Sequence, residues 1–220
     1  ENNNLYSFGN NEFGQLGLGN ININYLSPQL ISDFNDVEFV TCAKYYSICK
    51  TFNNELYFWG YGYSEGLTKE KCIKSNKPIQ CKKWPVDIVD IKCGSYHSLL
   101  LSAEGYVYFL GNAYCTTTNI NNNNFDKTVP KLISDINFDK TVPKLISDIP
   151  EIQRIECGCE HSMCIDINND LWVFGNNKFG QFGLGDTNNR YKPIQHPTLS
   201  NIIDISSGGL HTFVKTADNK

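Results

Sequence analysis

The 220-residue chain has no apolar run near the roughly 18 residues needed to cross a bilayer, so its sequence offers no membrane-spanning helix. It has no stretch of sustained helical periodicity, which argues against a helical bundle. It has no excess of basic residues: 19 Lys and Arg stand against 23 Asp and Glu, a formal charge of -4. That balance argues against binding driven by a nucleic-acid backbone, although Lys82 and Lys83 form a local basic pair. No secretory signal is visible. The chain begins at Glu1 rather than Met, so it reads as a fragment or a processed product, and a signal further upstream is left open. Nine cysteines is an odd number, and over this length it fits reduced thiols better than a disulfide framework. An intracellular location, cytoplasmic or nuclear, is therefore expected.

What is present reads as globular. Hydrophobic residues make up 40% and aromatics 13%, enough to build the core of one domain or two. Asparagines cluster at Asn2 to Asn4 and Asn121 to Asn124, the composition of low-complexity loop insertions.

Two anchors recur along the chain. Four apolar-aromatic runs end in glycine: LYSFG at Gly9, LYFWG at Gly60, VYFLG at Gly111 and LWVFG at Gly175, spaced 51, 51 and 64 residues apart. A second string comes after each of them. CAKYYS starts at Cys42, CGSYHS at Cys93, CGCEHS at Cys157 and SGGLHT at Ser207, with spacings of 51, 64 and 50. The repeats span approximately 1–54, 55–105, 106–169 and 170–220. Each holds several short β-branched and aromatic runs separated by Asn, Gly, Asp and Pro. An all-β unit of this length suits one propeller blade, whose small sheet buries its faces only by stacking on neighbours.

The third repeat is 13 residues longer because NFDKTVPKLISDI is written twice without substitution, over 124–149. The first copy is in register with the chain on its N-terminal side: Gly111 to Pro130 matches Gly9 to Pro28. The second is in register with the chain on its C-terminal side: Pro143 to Cys157 matches Pro28 to Cys42. The duplication is thus an insertion between Pro130 and Pro143. The core strands of this repeat are expected to be undisturbed, with one copy, the first by preference, exposed or poorly ordered.

FGNNEFGQLGLGN (Phe8 to Asn20), FGNNKFGQFGLGD (Phe174 to Asp186) and CGSYHSLLL (Cys93 to Leu101) resemble the two signatures of RCC1-type repeats, the regulator of chromosome condensation family. The resemblance covers all four repeats. It is weaker in WGYGYSEGLTKE and LGNAYCTTTNI, and Tyr46 stands where the other repeats have His97, His161 and His211. WD40 repeats are shorter and need a Trp-Asp pair that is absent here, and the double glycine of Kelch repeats occurs once, at Gly208-Gly209. The resemblance implies an all-β, RCC1-like β-propeller, with four blades of a seven-bladed disc in this chain. An open set of four blades leaves strand edges unpaired, so the chain alone is expected to pair with itself or aggregate.

The residues that invite a chemical reading have simpler ones. His97, His161 and His211 occupy one equivalent place per repeat, which sets them in separate local environments and favours hydrogen bonding between strands or blades over a metal or acid–base cluster. Cys157 and Cys159 suggest half a metal clip, but the first aligns with Cys42, Cys93 and Ser207, and no second pair with zinc spacing exists. Cys159 and His161 are near in sequence without further support for catalysis. Gly14, Gly17 and Gly19, like Gly180, Gly183 and Gly185, lack the Lys-Ser/Thr and helix of a phosphate loop and read as tight turns. Phe13 and Phe179 are expected to pack between blades, Gln15 and Gln181 to bond the loop backbone, and Trp59 and Trp172 to fill the core. The strand-end glycines Gly9, Gly60, Gly111 and Gly175 are framework positions.

No catalytic, cofactor or metal residues are expected, and no small-molecule substrate. The expected function is a non-enzymatic protein–protein interaction scaffold, one module of a larger regulatory protein. Partner contacts are assigned to the inserted loop, at Phe125, Lys127, Phe138 and Lys140. The resemblance implies two alternatives. One is a guanine-nucleotide exchange factor for a Ran-like small GTPase. The other is a chromatin or histone-binding module, with DNA contact disfavoured by the charge balance.

Overall fold

Tight four-residue turns organise the chain. In a computed structural model, which describes residues 4–34, 36–63, 72–81, 86–111 and 144–217, every regular element among those residues is a strand. The partner residues Phe125, Lys127, Phe138 and Lys140, and the pair Lys82 and Lys83, lie outside the described residues. The chain divides into two compact units at Ile88.

The first unit holds β1 (Leu5–Gly9) and β2 (Tyr25–Ile31), which form a two-stranded antiparallel sheet. Next come β3 (Val37–Cys42), β4 (Tyr46–Thr51), β5 (Leu56–Tyr63) and β6 (Cys72–Gln80), a four-stranded sheet in chain order. Ile31, Phe34, Cys49 and Trp59 form a buried cluster between the two sheets, with Leu5, Leu18, Val37 and Tyr57 against it.

The second unit begins with β7 (Ile88–Cys93), β8 (His97–Ser102), β9 (Val107–Gly111) and β10 (Lys144–Leu145), again one antiparallel sheet. It continues with a sheet of β11 (Ile152–Cys157), β12 (His161–Asp166), β13 (Leu171–Gly175) and β14 (Arg190–Gln195), and ends with the pair β15 (Ile202–Ser207) and β16 (Thr212–Thr216). One cluster, including Leu99, Phe109, Ile155, Cys164 and Phe174, joins its first two sheets. Another, including Met163, Ile165, Leu171, Val173, Ile202 and Ile205, joins the last two. Each such fully buried aliphatic side chain contributes about 1.5–3 kcal/mol.

The sheets are offset from the sequence repeats. Each four-stranded sheet takes two strands from one repeat and two from the next, because the shortest connection is the hairpin that crosses the repeat boundary. Those hairpins are alike: Asn54, Gly105 and Asn169 turn with φ of 60, 79 and 63°. Their N–H groups bond to the carbonyls of Thr51, Ser102 and Asp166, at 3.0, 3.0 and 2.9 Å. Asparagine and glycine are the residues that enter this left-handed region most cheaply. Among the described residues, four repeats are thereby shared among three four-stranded sheets and two two-stranded ones.

The offset explains why the sequence has two anchors. The strand-end glycine of one repeat faces the first residue of the central strand from the repeat before it: Gly60 pairs with Tyr46, Gly111 with His97 and Gly175 with His161. Gly60 has φ 96°, and a Cβ there would collide with the Tyr45 carbonyl, so the position admits only glycine.

The second copy of the duplicated string supplies structure. Its Lys144 and Leu145 pair with Phe109 and Tyr108, and its Ile146 and Ile149 pack on the adjoining cluster. These two isoleucines stand where the single-copy string of the first repeat places Ile31 and Phe34, both buried. The first copy lies outside the described residues. The outer strands β2, β6 and β14 each carry a proline, Pro28, Pro78 and Pro193, on the sheet edge where a ladder donor is not required.

Candidate interaction site

Two glycine loops, residues 10–20 and 176–186, share one hydrogen-bond plan. At the centre of each is a fully buried asparagine, Asn11 or Asn177. The Asn177 amide donates to the carbonyl of Asp186 at 2.9 Å and to its Oδ1 at 3.2 Å, and its own oxygen accepts from Phe182 N–H at 2.9 Å. Asn11 does the same with Asn20 and Leu16, at 3.0, 2.7 and 3.1 Å. As the sequence suggested, the glutamines bond the loop backbone: Gln15 and Gln181 accept from Phe13 N–H and Phe179 N–H, at 2.9 and 3.0 Å. The first loop is also tied down from below, where Gln15 O accepts from Trp59 Nε1 at 2.8 Å and from Ser47 Oγ at 2.9 Å. Gly14 turns with φ 81°, and its Cβ would sit 2.8 Å from Asn76 Cα.

The phenylalanines on these loops have different fates. Phe13 packs as expected, edge-on to Tyr45 at 4.8 Å and tilted over Tyr61 at 5.8 Å, with the Lys44 ammonium 4.9 Å from the Tyr45 ring. Phe179 does not pack between sheets. It is 68% exposed: Leu210, half exposed itself, stands at the position aligned with Tyr45, and the sequence contains no residue aligned with Tyr61 to cover the ring. Sequence alone did not separate the two, since the loops are nearly identical and the difference comes from the neighbouring strand. The tryptophans fill the framework: Trp59 is buried, and Trp172 is partly buried with its Nε1 donating to Asp166 Oδ2 at 2.9 Å.

The histidines form a row of staples within the second unit. His97 Nε2 lies 2.9 Å from Ser162 Oγ, and His161 Nε2 lies 3.2 Å from Thr212 Oγ1. In both cases the hydroxyl belongs to the residue after the next repeat's histidine. Burial pushes the His97 imidazole down to about 3, aided by the nearby His161, and pushes His161 down to about 4, aided by His211. Both rings are therefore neutral near pH 7, and both Nδ1 atoms lack a hydrogen-bond partner among the described residues. His211 is exposed and stands 5.7 Å from the Phe213 ring.

Each histidine ring lies over a glycine three residues earlier. A Cβ at Gly94, Gly158 or Gly208 would collide with the ring of His97, His161 or His211. The first repeat has neither member of this pair. It carries Ala43 with Tyr46, and Tyr46 leans the other way, stacked on Phe58 at 5.0 Å with its ring over Gly62.

Among the described cysteines Cys49, Cys81, Cys157 and Cys164 are buried, Cys93 and Cys159 are half-buried, and Cys42 is exposed. Desolvation, with Cys93 and Cys164 nearby, holds the Cys157 thiol far above its ordinary range, and its Sγ points to Lys92 O at 3.4 Å. Cys49 and Cys81 are each pushed up to about 12, chiefly by burial. No group of three or more His, Cys, Asp or Glu among the described residues is arranged to hold a metal ion. No helix among them is long and apolar enough to cross a membrane. One buried charge stands out: Lys50, within β4, pairs with Glu38 at 2.8 Å and Asp87 at 3.5 Å, where the aligned residues are Leu101, Ile165 and the exposed Lys215.

Comparison with known proteins agrees with this geometry. The model of the regulator of chromosome condensation (RCC1) repeat matches residues 2–49 and 168–214, and a second model of that repeat matches 152–181. The serine/threonine-protein kinase Nek9 of Xenopus laevis is 30% identical over 236 residues, covering 98% of this chain and 24% of Nek9. Human WBSCR16 superimposes with a TM-score of 0.76 at 22% identity, covering 99% of this chain and 54% of that one. Prp20p of Saccharomyces cerevisiae, whose structure was described with its binding properties to Gsp1p and histones, gives 0.73 at 19% identity, covering 95% and 50%. The chain thus spans about a quarter of Nek9 and about half of the two solved chains.

Proposed function

Because this chain belongs to the RCC1 repeat family and has that family's all-β propeller fold, we propose that it is a protein-binding module acting through rigid loops rather than through chemistry of its own. The observation that carries the reading is Phe179. Its ring is 68% exposed on a loop whose backbone is fixed by Asn177 and Gln181. A preordered aromatic of this kind is what protein interfaces use as an anchor, because little entropy is lost on binding. The Phe13, Tyr45 and Tyr61 cluster with Lys44 offers an aromatic and cationic surface beside the corresponding loop of the first unit. The neutral His97 and His161 and the high thiol of Cys157 support a framework role for the groups that might otherwise perform catalysis. The inserted-loop residues Phe125, Lys127, Phe138 and Lys140 stay part of the proposal as further partner contacts.

The likeness to Prp20p favours a second reading, nucleotide exchange on a Ran-like GTPase, and keeps histones as candidate partners. Purified partners decide. The chain is titrated against a Ran-type GTPase loaded with fluorescent nucleotide and, separately, against core histones. Binding that weakens at least about tenfold in Phe179→Ala supports the anchor. Accelerated nucleotide release makes the function exchange; binding unchanged by the substitution removes Phe179 from the interface.

A further inference from the structure

We infer that Ser27 is a phosphorylation site for a proline-directed serine/threonine kinase, presented by a bulge in β2. Of the eight prolines in the chain, only Pro28 follows a serine or a threonine. The structure sets this pair off the ladder. Ser7 pairs with Gln29 and Gly9 with Tyr25, so Phe8 alone stands against Leu26, Ser27 and Pro28. The same bulge recurs in two four-stranded sheets. Trp59 stands against Asn76, Lys77 and Pro78 on β6, and Phe174 against Tyr191, Lys192 and Pro193 on β14. The middle residue of each bulge is Ser27, Lys77 or Lys192, and all three are exposed.

Lys77 shows that the exposure belongs to the bulge itself. The glycine loop of the repeat before it is in place. Gly19 N–H donates to Asn76 O at 2.7 Å, and a Cβ at Gly19 would sit 2.9 Å from Lys77 Cε. Lys77 is nonetheless exposed. Ser27 also has the backbone that a kinase cleft takes. It lies within a strand, and the proline after it favours an extended conformation. Its Oγ accepts from Gln29 Nε2 at 3.2 Å, a contact at the surface that a substrate hydroxyl gives up at little cost. In the transfer, Ser27 Oγ attacks the γ-phosphorus of ATP and its proton passes to the catalytic aspartate of the kinase. The bond from that phosphorus to the β-phosphate oxygen breaks, and ADP leaves. The product carries a charge of about -1.5 to -2 near pH 7. One bulge then becomes acidic where its two counterparts hold Lys77 and Lys192.

The folded chain is incubated with ATP and, in parallel, with a purified cyclin-dependent kinase and a purified mitogen-activated protein kinase. Uptake of a phosphoryl group with at least one of them is expected, located at Ser27 by fragment mass spectrometry. Ser27→Ala is expected to abolish it, and Pro28→Ala, which keeps the hydroxyl, to slow it at least about tenfold. Circular dichroism checks that each variant folds. A variant carrying Ser27→Ala with Lys192→Ser moves the Ser-Pro pair to the matching bulge of β14, and uptake is expected to return there. A folded chain that neither kinase modifies overturns the inference, as does uptake undiminished in Ser27→Ala or in Pro28→Ala. So does a double variant that takes up no phosphate, because the bulge is then not what presents the residue.

Discussion

His97 Nε2 and Ser162 Oγ lie 2.9 Å apart, although the two residues belong to successive repeats. The bond joins the first residue of one central strand to the second residue of the next, and both partners are buried. Ser162→Ala leaves a buried ring nitrogen unpaired and is expected to cost about 1–3 kcal/mol. Ser162→Thr keeps the hydroxyl, as Thr212 does at the aligned position, and is expected to cost less. Urea unfolding followed by the fluorescence of Trp59 and Trp172 measures both.

The same burial makes stability depend on pH. In the folded state His97 and His161 titrate near 3 and 4, against about 6.5 for an exposed imidazole. Below about 6.5 the unfolded chain binds protons that the folded chain does not, so stability is complete above that pH. It falls as pH drops through about 4 for His161 and about 3 for His97. The unfolding midpoint is expected to drop steadily from pH 7 to pH 4. A His97→Gln, His161→Gln double variant should show a flatter profile; an equally steep one removes the histidines as its cause.

Gly158 and His161 should behave as one unit. Gly158→Ala alone drives a methyl group into the imidazole and is expected to be strongly destabilising. In a His161→Ala background the collision is absent, so the same substitution should cost far less. A double-mutant cycle is expected to give a coupling of about 1 kcal/mol or more. Additive costs would mean the ring moves aside freely.

Asn177→Ala separates loop order from loop surface. It removes the acceptor for Phe182 N–H and the two donations to Asp186, and is expected to cost at least about 1–3 kcal/mol. Amide exchange at Phe182 should speed up in the folded protein. Phe179→Ala, by contrast, changes an exposed side chain and should leave stability within about 0.5 kcal/mol.

Much of the framework was legible in the residues, because each repeat solves the same packing problem with the same strings. The glycine-ended strand and the histidine string betrayed the period, and Pro130 and Pro143, matched to Pro28, showed where the register resumed. The partition into sheets was less legible, since a sequence repeat has no intrinsic starting point and the tight hairpin fixes it instead. Phe13 and Phe179 sit in matching loops, and the covering residues differ: Tyr45 and Tyr61 lie against Phe13, while Leu210 stands at the position of Tyr45 and no residue of the sequence at that of Tyr61. Lys50 carried no signal of burial in its own strand. It is buried because Glu38 and Asp87 stand where it needs counter-charges, a coincidence that neither alternation nor composition encodes.

The prolines of the outer strands bear on how such a protein changes in length over evolutionary time. Pro28, Pro78 and Pro193 offer no N–H, so a further strand cannot be grafted outside β2, β6 or β14 without losing part of its ladder. Widening is closed off, and growth is left to the stacking direction, where whole repeats are gained or lost together. Gene duplication on the scale of a repeat is then tolerated. The 13-residue slip in the third repeat is absorbed because one intact copy still supplies β10 and delivers its two isoleucines to the core.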